Sequence, residues 1–287
     1  MKFSEQWLRE WANPPLDTDA LVAQLSVSGL EVDEATGVAP PLSGVIVGHV
    51  VEAGAHPNAA RLKLCQVDFG GDAPVAVVCG APNARAGGRY PFAPTGTKLP
   101  GGIKIRRAKI RGVESNGMLC SARELGLGDE HDGILELPEA FDVGGDVVAL
   151  LGLDDHSIDV DLTPNRGDCL GVAGVAREVG VLNRVPVTPP EIAPVAAVID
   201  ATFPVVLEAP EGCPRYVGRV LKNIDPAAKT PLWMVEKLRR SGIRAISPTV
   251  DVTNYVMMEL GQPMHAFDLE RLEGGIRVRM AREGETL

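Results

Sequence analysis

Apolar and polar residues alternate with two different periods along this chain, and the change of period divides it. Over the first 30 residues apolar positions recur every three or four: Trp7, Leu8 and Trp11, then Leu21, Val22 and Leu25. That spacing predicts two helices that each bury one face. Ser4 is placed to cap the first and Pro14-Pro15 to end it, while Asp17 or Thr18 is placed to cap the second. Ser28-Gly29 marks a turn, 30–33 alternates as a short strand, and the two tryptophans are expected in the core rather than as a stacking platform. From 42 to 150 the period is two. Strands are predicted at 45–51, 62–67, 74–78, 103–110 and 133–137, with Pro, Gly and Asn between them, the pattern of a small barrel or sandwich.

Beyond 150 the pattern mixes. Val160 and Leu162 close a strand, 164–167 reads as a turn, and Asp168 is placed to cap a helix over 169–182. Asn165, Arg166 and Asp168 are accordingly read as turn and cap rather than as a catalytic group. Gly171, Gly174 and Gly180 fall on that helix, where each costs on the order of 1 kcal/mol against Ala, so they imply close packing against another backbone. Four prolines within 186–194 make a semi-rigid linker. Strands are then predicted at 203–208, 215–221 and 276–280. A helix over 231–241 has Thr230 as its cap and Pro231 at its first position, and a second lies between Ser247-Pro248 and Gly261. The alternation implies a mixed α/β region.

Length and composition narrow the classes. A chain of 287 residues is long for one domain, so two or three are expected. No apolar run approaches roughly 20 residues, which argues against a membrane span, and the N-terminus lacks the apolar core of a signal peptide. The cysteines (Cys65, Cys79, Cys120, Cys169, Cys213) form no Cys-x-x-Cys pair, so zinc and disulfide frameworks are not expected; they read as buried thiols in a reducing cytoplasm.

Charge changes the picture most. The net charge is −10, yet 73–113 holds no Asp or Glu and carries Arg85, Arg89, Lys98, Lys104, Arg106, Arg107, Lys109 and Arg111. Such segregation is the electrostatic footprint of a nucleic-acid binder; the alternative is a basic edge strand that discourages sheet-to-sheet association. Apolar and basic residues alternate through Ile103-Lys-Ile-Arg106 and Ala108-Lys-Ile-Arg111, so a strand here would present cations in a row, about 6.6–6.8 Å apart on one face. Only Phe69, Tyr90 and Phe92 are close by in sequence, so phosphate and shape, not base stacking, would dominate recognition. His56-Pro57-Asn58 reads as a turn, with His56 either structural or a ligand contact.

Several ordered blocks in this region carry a resemblance: Val47-Gly-His-Val50 through Asp68, Val78-Cys-Gly-Ala-Pro-Asn-Ala-Arg85, Leu99-Pro-Gly-Gly102, Gly117-Met-Leu-Cys-Ser121 and Glu124-Leu-Gly-Leu127. They resemble the tRNA-binding OB-type domain found as free chaperones, as synthetase appendages, and as an insertion in bacterial phenylalanyl-tRNA synthetase β chains. The resemblance implies RNA contact by Lys98, Lys104, Arg106, Arg107, Lys109, Arg111, Ser115, Asn116 and Ser121.

A second block, Ile246-Ser-Pro-Thr-Val-Asp251 through Val252-Thr-Asn-Tyr255 to Gly261-Gln-Pro-Met-His265, resembles the editing domain of the same β chains. Read alone, Asp251, Asn254 and Tyr255 share a helix face, and His265 follows a rigid turn. The resemblance implies an editing pocket using His265, Asn254 and Arg244. An apolar pocket rejects an added hydroxyl only by about 100-fold, so a phenylalanine enzyme gains from a second site that hydrolyses the tyrosyl ester. A histidine titrating near neutrality suits that water-driven step.

The fold expected is therefore α+β and multidomain: an OB-type β-barrel (41–150) inserted into a small discontinuous α/β domain (1–40 plus 151–185), then a linker (186–202) and the start of a mixed α/β editing domain (203–287). The resemblance further implies ATP and Mg2+ for the whole complex with none bound by this segment, no metal site, tRNA(Phe) and an α subunit in an α2β2 assembly as partners, and no membrane. Family β chains run further, so an N-terminal segment with an incomplete editing pocket is expected. A stand-alone OB-type tRNA-binding module and a structural subunit that touches no RNA remain as alternatives.

Overall fold

The computed structural model describes residues 1–286. It opens with β1 (Lys2–Ser4), α1 (Glu5–Trp11), α2 (Thr18–Val27) and β2 (Glu31–Gly37). Ser4 caps α1 by accepting from the Trp7 N–H at 3.1 Å, and Asp17 caps α2 by accepting from Ala20 at 2.9 Å. Trp7 and Leu8 are fully buried and Trp11 nearly so, which places the tryptophan stripe in the core.

The period-two region forms β3 (Ile46–His56), β4 (Ala59–Asp68), β5 (Val75–Cys79), β6 (Arg89–Pro94), β7 (Ala108–Ile110), β8 (Val113–Ser115) and β9 (Gly117–Leu119). Five of them pair in the order β5-β4-β3-β6-β9, and β7 with β8 makes a separate hairpin. The edges of the five-stranded sheet come together where Asn116 N–H donates to Ala76 O at 2.8 Å and Val78 N–H donates to Ser115 Oγ at 3.0 Å, so the sheet is a nearly closed barrel. Val50, Val67, Val77, Tyr90 and Phe92 fill one cluster, and Val45, Val47, Leu99, Cys120 and Val147 another. Gly117 sits at φ +144 with the Phe92 ring 2.3 Å from where a Cβ would stand, so no other residue fits between β8 and β9.

Two strand expectations fail here. Residues 103–110 are not one strand. The Pro100–Gly102 turn folds the chain back, Leu99 N–H donates to Ile103 O at 2.8 Å, and Ile105 N–H donates to Thr97 O at 2.9 Å. Only Ile105 of this segment is buried, while Ile103 is 48% exposed. Residues 133–137 make single bonds rather than a ladder, because the Ile134 N–H donates to the Asn83 side chain at 3.0 Å.

The chain continues through α3 (Val147–Leu151), β10 (His156–Asp161) and α4 (Val172–Asn183). β10 lies antiparallel between β1 and β2, with Phe3 opposite Ile158 and Ile158 opposite Ala35. One core therefore joins Phe3, Trp7, Leu21 and Leu25 to Ile158, Val160, Val172, Val175 and Val179. Asp168 does not cap α4. The helix starts after Gly171, and a 3-10 turn over Pro164–Cys169 turns the Asp168 carboxylate to the Arg166 guanidinium at 3.2 Å instead.

The last elements are β11 (Val205–Leu207), α5 (Leu232–Arg240), α6 (Pro248–Leu260) and β12 (Ile276–Val278), with β11 and β12 parallel. Residues 215–221 form no strand. Thr230 does not cap α5; its hydroxyl bonds to Asp251, and Pro231, with no N–H to satisfy, stands at the cap position. α5 is tied to the N-terminal core by Arg240, whose Nη1 reaches Asp155 at 3.0 Å in a buried pair.

The glycines of α4 make a sharp test. A helical Gly→Ala change ordinarily stabilises by about 1 kcal/mol, but a Cβ on Gly174 would stand 1.9 Å from the Asp168 carbonyl oxygen. Gly174→Ala is therefore expected to destabilise by about 1–3 kcal/mol in urea denaturation. Gly54→Ala, on β3 with nothing within 4 Å of the new Cβ, is expected to stay within about 0.5 kcal/mol of the parent.

Candidate functional site

The tip of the β3–β4 hairpin holds the tip of the β7–β8 hairpin. His56 is buried; its Nδ1 accepts from the Asn58 N–H at 3.1 Å, which leaves Nε2 as the donor to Ile110 O at 3.2 Å. Asn58 Nδ2 donates to Arg111 O at 3.0 Å. Arg111 stands at φ +48 and Gly112 at φ +91, the double left-handed turn that suits a tight hairpin. His56 is thus a positioning residue for the basic segment.

Five of the expected RNA-contacting cations, Lys98, Lys104, Arg106, Lys109 and Arg111, are exposed and have no acidic side chain within ion-pair distance among the described residues. Arg107 differs: it pairs with Glu114 across the β7–β8 hairpin. Arg85 lies 4.0 Å from Glu136, and Arg89 donates to the carbonyls of Glu139 and Phe141, so these two serve the barrel. Lys104 and Arg106 border a cleft of about 440 Å³ between β5, β8, β9 and the 131–134 segment, with Glu124, His131 and Asp132 on its wall. Ser115 and Ser121 also line the cleft, but both are buried and engaged. Ser115 Oγ accepts from Val78 and donates to Gly117 O at 3.3 Å, and Ser121 bonds to the Glu124 carboxylate. Asn116 lies half-buried where the barrel closes. The exposed cations leave this side of the barrel positively charged, and the two hydroxyls shape the floor of the cleft.

Of the second set, Arg244 is exposed in the α5–α6 connection, Asn254 is half-buried on α6, and His265 is exposed beyond α6 with its ring stacked on Phe267 at 5.8 Å. Asp251, fully buried, accepts from Ile246 N–H at 2.8 Å and from the Thr230 hydroxyl, so it pins the connection carrying Arg244 to the first turns of α6. Among the described residues no hydrogen bond links His265 to Arg244 or Asn254. Asp251, Asn254 and Tyr255 lie at i, i+3 and i+4 on α6, with Asp251 buried and Asn254 and Tyr255 both half-buried.

The thiols are chemically quiet. Burial pushes Cys120 up to about 12 and Cys65 and Cys169 each to about 11. Cys213 alone is half-buried rather than buried. Among the described residues no three His, Cys, Asp or Glu side chains are grouped to hold a metal ion, and no helix is long and apolar enough to cross a membrane.

A near-closed barrel with a rim of unpaired cations, followed by an α/β segment, is the build of a nucleic-acid-binding protein. The family models agree: residues 45–146 match the putative tRNA binding domain and residues 212–287 match the B3/4 domain. The chain is 58% identical to the phenylalanine–tRNA ligase beta subunit of Pectobacterium atrosepticum over 287 residues, covering 100% of this chain and 36% of that one. It is 60% identical, with the same coverage, to that of Pseudomonas savastanoi pv. phaseolicola. The chain is similar over its whole length to bacterial phenylalanine–tRNA ligase beta subunits, and it spans 36% of the length of these relatives. A solved structure of a MetRS related protein from Pyrococcus horikoshii superposes on 36% of this chain and 87% of its own, at 26% identity and a TM-score of 0.27.

The structural role given to His56 is open to measurement. His56→Ala removes the donor to Ile110 O and the acceptor for Asn58, so it is expected to cost about 1–3 kcal/mol of stability in urea denaturation. Lys104→Ala, exposed and unpaired, is expected to change stability by less than about 0.5 kcal/mol.

Proposed function

We propose that this chain contributes tRNA binding and part of a hydrolytic editing site to a phenylalanine–tRNA ligase that joins phenylalanine to tRNA(Phe) with ATP and Mg2+. The observation that carries it is the five exposed, unpaired cations, two of them bordering the barrel cleft, inside the segment that matches a tRNA-binding domain. In this reading the barrel (41–150) is of OB type, inserted into a domain made of 1–40 and 151–185, with 186–202 as linker and 203–287 as the start of the editing domain. The single core joining residues 3–30 to 158–179 supports that division. Lys98, Lys104, Arg106, Lys109 and Arg111 hold phosphates of the tRNA backbone; the buried Ser115 and Ser121 act on RNA only through the shape they impose. The complex is an α2β2 assembly working in the cytoplasm, with amino-acid activation on the α subunit. ATP and Mg2+ belong to that step.

The editing step is ester hydrolysis. A water attacks the carbonyl carbon of tyrosyl-tRNA, the bond to the ribose oxygen breaks, and that oxygen leaves with a proton as free tRNA. His265 positions and deprotonates the water, while Asn254 and Arg244 hold the misattached aminoacyl end. The exposure of His265 and Arg244 keeps both open to a ligand. What favours this over a stand-alone tRNA-binding module is the second family match, at 212–287.

The test is hydrolysis of tyrosyl-tRNA(Phe) by this sequence extended to the length of its relatives and assembled with an α subunit. His265→Ala is expected to lower the deacylation rate by about 10²–10⁴-fold and to leave phenylalanine charging intact. A wild-type complex that charges phenylalanine but hydrolyses no tyrosyl-tRNA contradicts the editing function.

A further inference from the structure

A buried carboxylate on α6 ties that helix to the N-terminal end of the chain. Glu259 is 7% exposed, and its Oε1 accepts three hydrogen bonds: from Trp7 Nε1 at 3.2 Å, from Trp11 Nε1 at 3.4 Å and from the Tyr255 hydroxyl at 3.0 Å. Two of the donors stand on α1, about 250 residues away in sequence. Tyr255 also stacks on Trp7, centroids 5.1 Å apart and planes 15° from parallel. Lys237 of α5 lies over both rings, 5.0 Å from the Trp7 centroid and 5.9 Å from that of Tyr255. Burial, and then the neighbouring Glu259 carboxylate, raise the Tyr255 phenol, so it remains a donor at every physiological pH.

Indole N–H groups only donate, so these two buried donors need an acceptor from outside their own helix. α6 supplies it, and with it a fixed height and rotation of α6 against α1. Asn254 precedes Tyr255 on the same helix, and Asp251 fixes the Arg244 connection to that helix. Any slip of α6 therefore moves both groups assigned to the aminoacyl end.

We propose that Glu259 is a positioning residue for the editing site: the α1 indoles hold α6 through its carboxylate, so the N-terminal helix sets the placement of Asn254 and Arg244. This rests on the editing function proposed above. Glu259 touches no reacting atom. Its removal is expected to act on the deacylation step and to spare both tRNA binding and the activation chemistry of the α subunit.

The experiment is steady-state deacylation of tyrosyl-tRNA(Phe) by the full-length complex, with phenylalanine charging measured on the same preparations, for wild type, Glu259→Ala, Glu259→Gln and Trp11→Phe. Glu259→Ala is expected to lower deacylation kcat by about 10- to 100-fold, the loss that small misplacement of a reacting group causes. KM and charging are expected to stay within about twofold. Glu259→Gln, which keeps an oxygen acceptor for the indoles, is expected to recover most of the rate. Wild-type kcat in Glu259→Ala overturns the proposal and leaves the editing function standing, and so does a loss of deacylation matched by an equal loss of charging. A wild-type complex that does not deacylate overturns both. If Glu259→Ala does not assemble, Trp11→Phe decides, since it removes one α1 donor to Glu259 and keeps an aromatic ring: reduced deacylation kcat with intact charging supports the proposal, and unchanged kcat overturns it.

Discussion

The basic surface depends on the clasp between the two hairpin tips. β7 and β8 are three residues each, too short to hold a hairpin by their own ladder. Between and beside them stand Lys104, Arg106, Lys109 and Arg111, like charges that repel one another. Arg111 adds about 1–2 kcal/mol for its left-handed backbone. The bonds from His56 to Ile110 O and from Asn58 to Arg111 O offset this, at about 1 kcal/mol each. They also pass the rigidity of the long β3–β4 pair to the short β7–β8 hairpin.

The same logic works at the other end of the molecule. α5 and α6 rest on the N-terminal core through buried polar groups rather than apolar area alone. Arg240 reaches Asp155, and Glu259 reaches the α1 indoles. Directional bonds of this kind fix rotation and register, which apolar contact leaves loose. A charge-segregated barrel and a polar-tethered helix pair thus hang from one small sheet, β1-β10-β2, in which the start of the chain and residues 156–161 are neighbours.

Local signals were legible in the sequence where local chemistry decides the structure. Ser4 and Asp17 cap the helices as read, Gly261 ends α6 in the left-handed conformation, and Gly174 marks a backbone crossing. Reading failed where a distant partner competes. Asp168 looks like a cap until Arg166 takes its carboxylate, Thr230 until Asp251 takes its hydroxyl, and 103–110 looks like one strand until Pro100-Gly-Gly102 folds it back on 97–99. At the candidate site the basic residues were evident from the absence of Asp and Glu over 73–113. That Arg107 is neutralised by Glu114 and that Ser115 and Ser121 are engaged internally were not, because pairing is set by the folded hairpin. His56 carried a signal, a histidine in a Pro-Asn turn, but its role needs Ile110, 54 residues away. Glu259 carried none: a single acid near a helix end reads as solvated until α1 is packed against it.

The central claim is that the cation rim of the barrel holds RNA phosphates, and the salt dependence of tRNA(Phe) binding to this chain tests it most directly. If all five unpaired cations engage phosphate, log K should fall linearly with log salt with a slope between about −3.5 and −4.5. Replacing Lys104 and Arg106 by Ala should reduce the steepness by about 1 for each cation removed. Affinity that does not change with salt, or an unchanged slope in the variant, contradicts the account.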